Sequence, residues 1–240
     1  MNLIGPLHSC RKIAKNIAIV FGIFFWPVSA GSQDITSHDV SATASENVAN
    51  RNKLFISLKT NMLYDAAAIP NIGAEVYIGR NISVAAQWNY AWWSYESRHR
   101  YWRIYGGDVV ARYWFGNAAK IKPLTGHHVG IYAGALTFDV EWGGKAYMGG
   151  RPGGTLWDRC MINAGVEYGY SLPVTRRLNI DFTIGLGYFG GIVEKFTPTD
   201  GYYLWESTTR QTWIGPTKAE IGLVWLIGRD NFNAKKGGDR

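Results

Sequence analysis

Leu178-Asn179-Ile180-Asp181-Phe182-Thr183-Ile184-Gly185-Leu186-Gly187-Tyr188 alternates a large apolar residue with a small or polar one at every step. Successive side chains of a strand point to opposite faces, so a period of two sustained this long specifies a β-strand. The pattern recurs at 82–90, where Ile82, Val84, Ala86, Trp88 and Tyr90 oppose Ser83, Ala85, Gln87 and Asn89. It recurs again at 160–172, where Cys160, Ile162, Ala164, Val166, Tyr168, Tyr170 and Leu172 oppose Met161, Asn163, Gly165, Glu167, Gly169 and Ser171. Extended along the chain, the period predicts eight strands, at 54–66, 71–79, 82–92, 101–115, 127–142, 157–172, 177–190 and 213–228. Most reach the ~9–11 residues that cross a bilayer at a tilt, and they exceed the ~5–6 residues usual in soluble sheets. The sequence carries no helical stripe of period 3.6 and no second long apolar run.

The two faces differ in chemistry. The apolar faces are almost free of charge over the middle of each strand, and rings gather at their ends: Tyr64, Trp92, Tyr101, Tyr113, Phe115, Tyr170, Tyr188 and Trp225. The opposite faces carry Lys59, Asp65, Glu75, Asp108, Arg112, Arg159, Glu167, Asp181, Lys218 and Glu220 among Gly and Ser. A Lys or Arg facing lipid at mid-membrane costs about 2–4 kcal/mol, whereas charges inside a narrow tube can pair. In a soluble barrel the large rings would overcrowd the interior. The expectation is therefore an all-β fold, an eight-stranded antiparallel up-and-down transmembrane β-barrel over 53–228. Its polar face would form a structural plug of ion pairs within the lumen. The strand at 127–142 is ambiguous, because Asp139 and Glu141 share a face with Val129 and Ile131.

Composition agrees: of 240 residues 47% are apolar, 15% aromatic and 18% charged, with 29 Gly, which excludes general disorder. A secreted aromatic-rich sandwich would share these values. Arg11, Lys12 and Lys15, the apolar run 17–28 and Val28-Ser29-Ala30 read as a secretory signal peptide over 1–30. Residues 31–52 read as a flexible leader and 229–240 as a polar tail. Loss of the three signal-peptide cations lowers the net charge from +7 to +4, with no basic cluster that would suit nucleic acid. Cys160 then stands alone as an inert apolar residue. Tight turns at 80–81 and 173–176 alternate with longer connections at 94–100, 143–156 and 191–212, as short periplasmic turns alternate with external loops.

Catalytic patterns are absent. His127 and His128 lie at a turn and point to opposite faces, so they read as surface histidines and not as a metal site. The Gly-rich runs at 143–144 and 149–154 lack the Lys-Ser/Thr and the helix of a phosphate cradle. No nucleophile elbow is present. No metal, cofactor or catalytic residue is expected. In the longest loop, Tyr202, Tyr203 and Trp205 form an apolar cluster suited to local packing or to partner contact.

Two resemblances add to this reading. Glu220-Ile-Gly222-Leu-Val-Trp225-Leu-Ile227 resembles the carboxy-terminal signal read by barrel-assembly machinery, though no terminal aromatic follows. Leu58-Lys-Thr-Asn-Met-Leu-Tyr-Asp-Ala66, Pro70-Asn-Ile-Gly-Ala-Glu75, Asn89-Tyr-Ala-Trp-Trp-Ser94, Arg112-Tyr-Trp-Phe-Gly116 and Gly169-Tyr-Ser-Leu-Pro173 resemble an uncharacterised family of Bacteroidetes, DUF3575. That resemblance implies a membrane β-barrel in the outer membrane, with some members similar to proteins encoded beside fimbrial clusters. It brings no catalytic residues. The expected role is non-enzymatic, structural or surface-binding through external loops, with outer-membrane lipid, the assembly machinery and an envelope or fimbrial protein as partners. The alternatives are a lipid-modifying enzyme, a narrow channel or a soluble periplasmic ligand-binding barrel.

Overall fold

The computed structural model describes residues 55–95, 100–150, 155–199, 202–228 and 231–233. The signal peptide and leader expected at 1–52 lie outside these residues. The strands are β1 (Phe55–Asn61), β2 (Asn71–Gly79), β3 (Ile82–Tyr95), β4 (Arg100–Phe115), β5 (Gly126–Glu141), β6 (Ala146–Gly149), β7 (Met161–Pro173), β8 (Leu178–Thr199) and β9 (Tyr202–Ile227). Three short helices interrupt them: α1 (Met62–Ala66), α2 (Gly116–Ile121) and α3 (Leu156–Arg159). No helix among the described residues is long and apolar enough to cross a membrane.

All pairings are antiparallel, and they return to their origin. The sheet runs β1-β2-β3-β4-β5-β7-β8-β9, and β9 pairs back to β1 through Ile56↔Ile227 to Asn61↔Gly222. Eight strand positions thus form a ring. The small strand β6 sits above β7 in the same position, between Phe138–Glu141 of β5 and Val193–Phe196 of β8.

Local chemistry explains the boundaries. Between β2 and β3, Arg80 (φ 51°) and Asn81 (φ 65°) both take positive φ, the geometry of a two-residue hairpin whose twist matches its strands. The first expected strand, 54–66, stops early. Asn61 caps α1 by accepting a hydrogen bond from the Leu63 N–H (3.1 Å), so the chain turns helical where a longer strand was expected. The start of the expected strand 157–172 is likewise helical. There Thr155 and Asp158 form a capping box that opens α3, with Thr155 Oγ1 donating to Asp158 Oδ2 (2.7 Å). The expected loop 191–212 is largely strand, because β8 and β9 continue as a hairpin to Thr199 and Tyr202.

The ring is polar within and apolar outside. Ile131 is 65% exposed, while Arg112, on the adjacent strand, is 1% exposed. Ile82, Val84, Val109, Val129, Val166, Ile184 and Leu186 are all exposed. Two groups of rings flank this apolar zone. Phe115, Tyr168 and Tyr170 gather around His127 on one side, with exposed Tyr113 next to them, and Trp88, Tyr90, Trp92 and Tyr105 lie on the other. Along β4, Tyr105 and Tyr113 stand about 27 Å apart at ~3.4 Å per residue.

One rim of the interior is closed by a small apolar cluster of Phe55, Tyr77, Trp114, Ala119, Leu124, Val224 and Leu226. Residues 231–233, expected in a free polar tail, fold onto this rim. Asn233 donates to Asn179 Oδ1 (2.8 Å) and to the Thr175 carbonyl (2.6 Å), and Asn231 donates to the Ile56 carbonyl (2.9 Å).

Lys122 lies at the same rim, half-buried, and donates to Asn233 Oδ1 (2.6 Å). Burial disfavours its cation and lowers its pKa from 10.5 to about 8. The folded protein therefore sheds this proton near pH 8 while the unfolded chain keeps it to about 10.5, so this site's contribution to stability rises with pH between those values. Acylation by an amine-specific reagent, mapped by mass spectrometry, should show Lys122 reacting with a midpoint near pH 8. A midpoint at the ordinary lysine value would contradict the burial.

Candidate functional site

The interior is filled by one ionic network. Arg112, on β4, is its centre. Its Nε donates to Glu167 Oε1 (2.6 Å) and its Nη1 to Glu75 Oε2 (2.8 Å); Asp181 and Glu220 each lie 3.6 Å from the guanidinium. Lys218 bridges Asp108 (2.9 Å), Glu167 (3.0 Å) and Glu220 (3.3 Å), while Lys59 pairs with Glu220 (3.1 Å). Three cations thus face five carboxylates, nearly all sealed from solvent. Ser83 donates to Glu75 (2.5 Å) and receives the Trp114 indole N–H (2.7 Å), which extends the network to the apolar rim.

Glycines make room for the bulk. A Cβ at Gly165, Gly185 or Gly187 would come within 3.0 Å of the Tyr132 side chain, and one at Gly169 within 2.5 Å of His128. Large interior groups on β5 are therefore seated against glycines of β7 and β8, the large-to-small alternation that fills a narrow strand ring. Tyr132 also hydrogen-bonds Thr217 and lies under the Lys218 ammonium, 5.1 Å from the ring centre.

Of the ten polar residues expected inside, the structure brings together Lys59, Glu75, Asp108, Arg112, Glu167, Asp181, Lys218 and Glu220. Two lie elsewhere. Asp65 is exposed on α1 and accepts from Thr60 Oγ1 (2.7 Å) and Asn71 Nδ2 (2.9 Å). Arg159 is exposed on α3, ahead of the start of β7. Tyr64, expected among the end rings, is on α1 as well.

The histidines need correction. His127 is on the outer side, bonded through Nδ1 to the Tyr168 hydroxyl (2.8 Å), but His128 is fully buried inside with Nε2 2.9 Å from Asp181 Oδ1. Sequence reading missed it, although its parity on β5 matches Tyr132. Asp139 and Glu141 do share the face of Ile131, but Asp139 is level with Trp92 through Arg103 and Glu141 lies beyond it. Asp139 pairs with Arg103 (3.2 Å), and buried Glu141 accepts from the Tyr203 hydroxyl (3.0 Å).

At this upper rim the β8–β9 hairpin projects beyond its neighbours. Tyr202, Tyr203, Leu204 and Trp205 are exposed at its tip. Tyr203 also lies against the Tyr101 ring, 6.4 Å between centroids. Lys195 and Thr197 both bind Glu206 across the hairpin. Below it, Trp92, Trp93, Tyr101, Trp102 and Trp142 line a hollow of about 630 Å³, with Arg100 stacked over Trp142 at 5.2 Å.

Ring and interior together define an antiparallel all-β protein whose polar groups are enclosed and whose apolar residues are displayed. The chain belongs to the family described as Protein of unknown function (DUF3575), whose profile matches residues 39–227. No curated protein and no solved structure matches it.

Proposed function

We propose that the ring is a transmembrane β-barrel of the outer membrane, exported by its amino-terminal signal, with a non-enzymatic structural or surface-binding role through its projecting rim. The observation that carries this reading is the inverted polarity: water-exposed isoleucines and valines would be unfavourable over so wide a surface. Lipid accepts that surface, and the aromatic groups at either edge fit the two bilayer interfaces. Their spacing on β4, reduced by a ~40° tilt to about 21 Å, is near the ~25 Å apolar band of such barrels. The filled interior leaves no room for a wide conducting path.

Fractionation and gel migration test the placement. The protein should stay with the outer membrane and migrate faster unheated than boiled. Release by osmotic shock as a soluble protein would overturn the proposal.

The binding role is tested at the hairpin tip. Phe196 and Trp205 face each other in register, so a two-residue Asn-Gly turn can replace 197–204 without disturbing the strands below. Combined with Trp205→Ser, this change should leave insertion unaltered and remove cross-links from the tip to envelope proteins. Unchanged cross-linking would remove the tip from the binding surface.

A further inference from the structure

The upper part of β9 has a partner on one side only. β8 pairs with it along its whole length, but β1 reaches only Gly222–Ile227, because β1 ends at Asn61. The Asn61 side chain takes the next two main-chain groups, accepting from the Ile221 N–H (3.3 Å) and donating to the Ala219 carbonyl (3.2 Å). Above that point no other strand among the described residues pairs with this edge.

The polar groups that face outward from the edge can be identified. The Ile192 carbonyl accepts from the Gly150 N–H (2.9 Å), away from β9, and Ile192 is opposite Arg210 in register. Residues opposite one another in an antiparallel pair either exchange both bonds or turn both groups away. Arg210 therefore directs its N–H and C=O to the free edge, and the two-residue repeat adds Thr208, Thr212 and Ile214. These four residues are exposed. Pro216, lower on the same edge, has no N–H to offer, and its carbonyl accepts from the Trp213 indole (3.2 Å).

We propose that Thr208–Ile214 of β9 is a strand-addition site that takes an extended polypeptide segment of another protein, with a carboxylate placed opposite Arg210. Alternating donors and acceptors at the spacing of a β-strand are matched only by another extended backbone. Arg210 forms no ion pair among the described residues, and a cross-strand acid would lie within about 5 Å of it. A second copy fits less well. Two copies inserted the same way round are related by an axis along the membrane normal, which would bring the two edges together running in the same direction. The added strand of an antiparallel ladder must run the opposite way. This inference rests on the proposed membrane orientation for the side from which the partner arrives and for the argument against a second copy; the free edge itself does not depend on it.

The test uses the full chain in nanodiscs and a labelled synthetic peptide of about ten residues. The peptide alternates valine and threonine, with one central glutamate and lysines at its ends; the control carries N-methyl groups on alternate amides. The unmethylated peptide should bind saturably and slow amide exchange at Arg210, Thr212 and Ile214 about tenfold or more. The methylated peptide should do neither. Thr212→Pro removes one edge N–H without touching a bond to β8 and should abolish binding, whereas Thr212→Ala should retain it. Equal binding of both peptides, or full binding by Thr212→Pro, would overturn the proposal. Edge amides already slow without peptide would also overturn it, and a doubled particle mass would then identify a second copy as the occupant. A chain that fractionates as soluble yet passes this test would refute the membrane reading alone.

Discussion

Replacing Arg112 by leucine should lower stability by about 3–5 kcal/mol, read as a large fall in the denaturant midpoint of the lipid-inserted protein. Glu75 and Glu167 would lose direct bonds, and five carboxylates would face only Lys59 and Lys218 in a space closed to water. Leaving a buried charge without its partner is what makes the loss so large. Arg103→Leu supplies the comparison. It also breaks an Arg–carboxylate pair, but both side chains are about a quarter exposed at the rim, so the expected loss is about 1 kcal/mol or less. Equal midpoints for the two variants would show that the interior network does not hold the ring together.

Ile131→Arg should lower stability by about 2–4 kcal/mol and impair insertion, because the residue stands in the middle of the outer apolar zone, between Ala111 and Val166 in register. The same change on a surface facing water would usually alter stability by less than about 0.5 kcal/mol. Insertion into preformed vesicles, followed by gel migration, separates these cases sharply. An arginine accepted without loss would mean that this face does not meet lipid.

The period of two was legible wherever the two faces of a strand meet different environments. β2 was expected at 71–79 and occupies Asn71–Gly79 for that reason. The signal fades above Gly191: on the β9 arm nearly every residue from Tyr202 to Ile214 is exposed, and on the β8 arm Val193 is buried while residues 194–198 are all half-buried, so neither arm sets two different environments against each other. The helical ends were written in shorter codes: Asn61 as a cap, and Thr155-x-x-Asp158 as a capping box. Alternation outweighed these codes in the sequence reading, which carried two strands through helical turns and placed Asp65 and Arg159 inside. Parity on strands put the other eight charged residues on one face, and ion pairs join Lys59, Glu75, Asp108, Arg112, Glu167, Asp181, Lys218 and Glu220. It could not supply their pairing, since Arg112 meets carboxylates from four different strands. His128 was lost to its neighbour: two adjacent histidines resembled a surface turn, while the strand through them hid one and displayed the other.

The seam between β1 and β9 differs from every other junction in the ring. All other neighbours are linked through a local connection, but these two meet only after the chain has travelled round the whole sheet. Its closure entropy is the largest, and its ladder is among the shortest, from Ile56↔Ile227 to Asn61↔Gly222. Assembly must zip this latch last, and unfolding should release it first, so the kinetic weak point of the wall lies where its first and last strands clasp.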